Sequence, residues 1–173
     1  MGNREVLRVQ MFGGFSITYG DRLVTFRKNA ASKSMQLLQL LLYRKETGVP
    51  RRELIELLYG RGGLSDPSNN LRVAVHRLRK QMAEAGLPEE EYIKIEDGVY
   101  CWSSSTPCAI DALEFAGLIE KARSETNQEK RMELQKQALE LYQGDFLPML
   151  SGEDWVLLDA VKYKNEYEET LQE

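Results

Sequence analysis

The chain has 173 residues, 42% hydrophobic and 29% charged, enough apolar material for one domain or two small ones and too much for a disordered or fibrous chain. Two cysteines, Cys101 and Cys108, and a single histidine, His76, exclude a disulfide framework and a zinc ribbon, and both thiols are expected to be reduced. The net charge of −4 is unevenly spread: residues 1–103 hold 16 Lys and Arg against 12 Asp and Glu, residues 104–173 hold 7 against 15, so only the first part suits a polyanion.

In chain order, Val6 to Phe12 and Phe15 to Tyr19 alternate β-branched and aromatic residues around Gly13-Gly14, and Leu23 to Phe26 continue the pattern after Gly20-Asp21. They predict a small antiparallel sheet of three or more short strands. From Ala30 the period changes. Met35, Leu37, Leu38, Leu40, Leu41 and Leu42 wrap most of a helix that ends near Gly48, so this helix is expected to be covered on several sides. Pro50 opens a short helix through Tyr59, stopped by Gly60, Gly62 and Gly63. Asp66-Pro67 caps a longer one that runs to about Ala85 before Gly86 and Pro88. Tyr92–Glu96 and Val99–Trp102 flank Asp97-Gly98, a strong hairpin signal. Strands, three helices and a terminal hairpin compose a winged helix. Ser103 to Pro107 read as a linker, and beyond it only helical periodicity appears, in segments beginning near Asp111, around Met132 to Tyr142, and from Glu153.

The helix over 67–85 carries the chemistry. With Leu71 at zero on a wheel of about 100° per residue, Val75, Leu78 and Met82 fall within about 40° of it and form the core stripe. Asn69, Asn70, Val73, His76, Arg77 and Lys80 lie opposite, between roughly 140° and 260°, with Arg72 and Arg79 on the flank. No carboxylate interrupts this face before Glu84. A merely solvated helix face mixes both signs, since Glu and Lys four apart support a helix; a face of one sign calls for a polyanion. The residue types suit a major groove, where Arg grips guanine edges, Asn does the same for adenine, and an outward valine can meet a thymine methyl. The bland reading, in which Val73 and His76 simply pack on a neighbouring helix, stays open. Gly60-Arg-Gly-Gly63 follows a helix and lacks the Gly-Lys-Ser/Thr ending of a phosphate loop. No carboxylate pair with a partner electrophile is visible and the one histidine sits on the basic face, so no enzyme, no metal and no cofactor are expected.

Asn69-Asn-Leu-Arg-Val-Ala-Val-His-Arg-Leu-Arg-Lys80 resembles the recognition helix of OmpR/PhoB-type winged-helix proteins, and Gly98-Val-Tyr100 resembles the Gly-x-Tyr of that family's wing. Ile110–Phe115, Ala138–Leu147 and Asp154-Trp155 resemble the bacterial transcriptional activator domain that follows such a winged helix in SARP-type regulators. The resemblance implies a four-stranded N-terminal sheet, DNA binding as a homodimer on direct repeats, and a second domain of tetratricopeptide-like helices. It also implies that the loop 60–66 faces RNA polymerase and that Arg77 is the base-reading arginine. There are two departures from the pattern: Ala74 stands where some relatives have a polar phosphate contact, and the wing carries Glu96-Asp97 and Cys101 where basic residues are common.

The expected fold class is therefore an α+β winged helix-turn-helix with an N-terminal antiparallel sheet, followed by an all-α tetratricopeptide-like lobe. Residues 1–103 are expected to form the DNA-binding domain and 104–173 part of an activator domain. The expected function is a sequence-specific, double-stranded-DNA-binding transcription regulator, an activator by resemblance, in the cytoplasm and without a membrane partner. DNA contacts are expected at Asn69, Asn70, Arg72, Val73, His76, Arg77, Arg79 and Lys80. The alternative, motivated by the acidic wing and the overall acidity, is a winged helix that has lost DNA and serves as a protein-interaction scaffold. The third helix of the lobe has no fourth to cover it and is expected to leave an apolar edge exposed.

Overall fold

Leu7, Val9 and Ile17 are buried while Arg8 is exposed, the period-two signature of a sheet with one covered face. They lie on strands β1 (Leu7–Gln10) and β2 (Ser16–Tyr19), antiparallel in a register that runs from Leu7 opposite Tyr19 to Gln10 opposite Ser16. The computed structural model describes residues 5–27, 29, 31–60 and 66–172. A short strand β3 (Arg22–Val24) follows, then helix α1 (Lys33–Tyr43), whose residues 34–42 are all buried, in keeping with an apolar pattern that wraps around it. Ser32 caps α1 through its hydroxyl. Next come β4 (Val49–Pro50), α2 (Arg51–Tyr59) and α3 (Pro67–Glu84). The hairpin of β5 (Ile93–Glu96) and β6 (Val99–Trp102) turns at Asp97 and Gly98, both at positive φ, 51° and 75°. Two successive left-handed residues are what a type I′ turn requires, and Asp-Gly supplies them at least cost. β6 lies between β4 and β5, antiparallel to each.

Beyond Pro107 the chain adds β7 (Cys108–Ile110), α4 (Asp111–Ser124), α5 (Gln128–Leu141), a 3-10 turn at Pro148–Leu150, and α6 (Asp154–Leu171). β7 pairs with β1 in parallel, Val9 opposite Ile110, so β1 lies between β2 and β7. This strand was not expected from the sequence: three residues are too few to show alternation, and their Cys-Ala-Ile reads as readily as a helix entry. The sheet is accordingly mixed rather than purely antiparallel.

Two compact units result, Arg22–Pro107 and a second that joins Glu5–Asp21 to Cys108–Glu173. From the sequence, β1 and β2 are expected in the first lobe; contacts group them with the helices of the second. The reason is visible at Phe12. Its ring lies 5.4 Å from Phe115, 4.8 Å from Tyr142 and 5.2 Å from Tyr163, so α4, the end of α5 and α6 close around it. Backbone bonds add to this: Leu147 N–H donates to Met11 O at 2.7 Å and Gly13 N–H to Asp145 O at 2.8 Å. The Asp111 carboxylate, in the first turn of α4, accepts the N–H groups of Met11 (2.8 Å), Phe12 (3.1 Å) and Ala112 (2.7 Å). Burial pushes its pKa up to about 6, against the pull of those three donors. On α6, Trp155 and Tyr163 are buried, while Leu157, Leu158 and Val161 form an exposed apolar edge.

The regrouping leaves the charge asymmetry intact. Arg22–Pro107 holds 14 Lys and Arg against 10 Asp and Glu, and the second unit 8 against 17.

Candidate nucleic-acid interface

Helix α3 is fixed from one side and open on the other. Asp66 accepts the Asn69 N–H at 3.1 Å as its N-cap, and Pro67 enters the first turn, where its missing N–H costs nothing. Leu71, Ala74, Val75, Leu78 and Met82 are buried. Among these, Ala74 falls on the core side, which accounts for a small apolar residue at that position. The Tyr59 hydroxyl, at the end of α2, donates to Asn70 O at 3.1 Å and ties the start of α3 to α2. Burial raises the pKa of Tyr59, and the positive charge of Arg77 works in the opposite direction.

Of the eight residues expected at the interface, Asn69, Arg72, His76, Arg77, Arg79 and Lys80 are exposed, while Asn70 and Val73 are half-buried. They divide into a centre and two flanks. Asn69, Val73, His76 and Lys80 share the outermost strip of the helix. Arg72 and Arg79 lie towards the hairpin. Arg72 donates to the Asn69 side-chain oxygen at 2.8 Å, which holds the asparagine with its amide N–H₂ still free to donate. Arg79 donates to Ile93 O at 3.2 Å and pairs with Glu91 at 3.2 Å, so this guanidinium is already engaged by the start of β5. On the other flank, Asn70 and Arg77 face Tyr59 and the first turn of α1. Neither His76, Arg77 nor Lys80 forms an ion pair among the described residues. In the wing turn, Glu96 and Asp97 are exposed, as is Ile95, so the turn carries negative rather than positive charge.

A wheel drawn on α3 alone does not reveal Lys33 or Tyr59, which come from α1 and α2. Lys33 donates to Leu58 O at 2.6 Å, satisfying a carbonyl at the end of α2, and its ammonium lies 5.5 Å from the centre of the Tyr59 ring. The loop expected to face RNA polymerase falls, at residues 61–65, outside the described residues.

Three helices, a three-stranded sheet ending in a hairpin and a one-signed helix face are the parts of a winged helix that meets a polyanion. Residues 28–99 match the family of transcriptional regulatory protein C-terminal domains. The matched segment takes in α1, β4, α2, α3 and β5 and reaches the first residue of β6. All eight residues expected at the interface fall inside the matched segment, and the matched family is one of transcriptional regulatory proteins. No curated protein matches the chain in sequence. Among solved structures, EmbR of Mycobacterium tuberculosis, determined in complex with a low affinity phosphopeptide, matches with a TM-score of 0.72 at 18% identity. The match covers 98% of this chain and 44% of that one, so the chain spans less than half the length of EmbR. At this identity the likeness establishes the fold, winged helix and helical unit alike. No helix among the described residues is long and apolar enough to cross a membrane.

Proposed function

We propose that the protein is a sequence-specific DNA-binding transcription regulator that places α3 in the major groove. The observation that carries this reading is the outer face of α3, where Asn69, His76, Arg77 and Lys80 stand exposed without a carboxylate among them on a helix whose opposite side is buried. Asn69 and Arg77 are the base-reading pair. Val73 offers a methyl contact, Lys80 and Arg72 neutralise phosphates, and Arg79 steadies the hairpin against the helix. The likeness of the helical unit to activator domains of SARP-type regulators supports an activator that works as a homodimer on direct repeats and touches RNA polymerase through the loop 60–66.

Selection of duplexes from a random pool, followed by fluorescence anisotropy at several salt concentrations, tests the proposal. The expected outcome is an enriched consensus bound far more tightly than random duplex, with affinity falling steeply as salt rises. A folded protein that shifts no duplex even at low salt would overturn this reading and favour the rival scaffold, to which the exposed Glu96 and Asp97 of the wing also point. Light scattering with and without a tandem site reports the homodimer.

A further inference from the structure

The flank of α3 that carries Asn70, Arg77 and Gln81 borders a cavity of about 510 Å³, walled on the other side by the N-cap Ser32, by Lys33 and Ser34 of α1 and by Tyr59. None of the lining residues is acidic, and two are cations. Lys33 spends one N–H on Leu58 O and keeps two. Ser34, only 5% exposed, has as its one side-chain hydrogen bond among the described residues the Ser32 hydroxyl at 3.5 Å, the outer limit of such a bond. The first turn of α1 carries no acidic residue, and its one capping bond, Met35 N–H to Ser32 Oγ, is long at 3.4 Å, so the positive end of the helix is poorly compensated. Gln81 has a buried side-chain oxygen without a partner, and a half-turn of its amide would present N–H₂ there instead. A lining of this chemistry suits an oxyanion.

Its position decides which one. A helix with its side chains is about 10–12 Å across and the major groove about 12 Å wide, so the flanks of an inserted helix stand beside the sugar-phosphate walls, while a long side chain such as that of Arg77 still reaches the base edges. We propose that this cavity seats one backbone phosphate of the duplex whose major groove α3 enters, with Lys33 as its principal cationic contact and the Ser34 hydroxyl and the amino end of α1 as donors. This rests on the DNA-binding reading above and adds to it a contact from outside α3.

The test is a scan in which single phosphates of the selected duplex are replaced by neutral methylphosphonates, read with wild type, Lys33→Gln and Lys33→Arg. Lys33→Gln is expected to weaken all duplexes alike, leave the consensus unchanged and lower the slope of log affinity against log salt by about 0.9, one phosphate's worth, while Lys33→Arg retains most of both. One methylphosphonate position should weaken wild type and leave Lys33→Gln indifferent. Circular dichroism melting confirms that the variants are folded. If wild type binds duplex but every position affects wild type and Lys33→Gln equally, the phosphate seat is wrong and the DNA reading stands. The same holds if inorganic phosphate saturates the α1 amide resonances while the scan is flat, for the cavity is then a site for small anions. A wild type that binds no duplex overturns both.

Discussion

The Met11 amide donates to the Asp111 carboxylate at 2.8 Å across one hundred residues of sequence, and the neighbouring Phe12 amide reaches the other carboxylate oxygen at 3.1 Å. The first strand of the chain is thereby pinned to the first helix after the winged helix. Because burial raises this carboxyl to about 6 from 3.8, the folded state binds its proton more tightly than the unfolded chain does. Its contribution to stability is therefore fully present below pH 3.8 and is lost as pH rises through about 6. Asp111→Asn is expected to flatten the pH dependence of the unfolding free energy between pH 4 and 6 relative to wild type, in urea melts across that window; parallel curves for the two proteins would show that the group is solvated.

Phe12 is fully buried among four aromatic side chains. Phe12→Ala should cost about 3–5 kcal/mol. The loss should appear as a lowered melting temperature of the helical unit, with the amide spectrum of Arg22–Pro107 little changed.

Division of the chain at its linker should fail for a related reason. Residues 104–173 lack β1, β2 and the Phe12 ring, and are expected to melt without cooperativity. A chain joining 1–21 directly to 108–173 should recover a cooperative transition, and residues 22–107 alone should fold and bind DNA. Cooperative melting of isolated 104–173 would show that the helices suffice.

On DNA, Arg77→Ala is expected to cost about 1–3 kcal/mol and relax the consensus at one or two base pairs, whereas Lys80→Ala should weaken all sequences alike. An unchanged consensus for Arg77→Ala would remove Arg77 from the base-reading set.

Glu91→Gln releases Arg79 from its ion pair and should raise affinity for random duplex modestly at low salt, an effect that disappears at high salt. Unchanged binding would mean that the bond to Ile93 O alone sets the position of Arg79.

Much of the winged helix is legible in the chain because its signals are local. Asp66-Pro67 marks the start of α3, Asp97-Gly98 marks the hairpin, and the spacing of Leu71, Val75, Leu78 and Met82 separates the buried side of α3 from the open one. What is not legible depends on partners distant in sequence. Nothing in Cys108–Ile110 announces that it pairs in parallel with Leu7–Val9, and the alternation of β1 says which face is covered without saying by what. Arg79 flanks the basic face by its angle on the wheel and counts with it, yet Glu91 and Ile93 O claim it. Lys33 is an unremarkable first-turn lysine until Tyr59 and Arg77 are placed beside it.

The parallel pairing of β1 with β7 has a consequence for the order of synthesis. The connection between these neighbouring strands is the whole of Arg22–Pro107, so a ribosome must deliver an entire domain before the first strand can meet its second neighbour. Until Phe115, Tyr142 and Tyr163 emerge, Leu7, Val9, Met11 and Phe12 have no completed core to enter. The basic domain can be finished first while the opening residues wait, and for that interval the nascent chain carries an apolar strand that chaperones or a second nascent copy could capture.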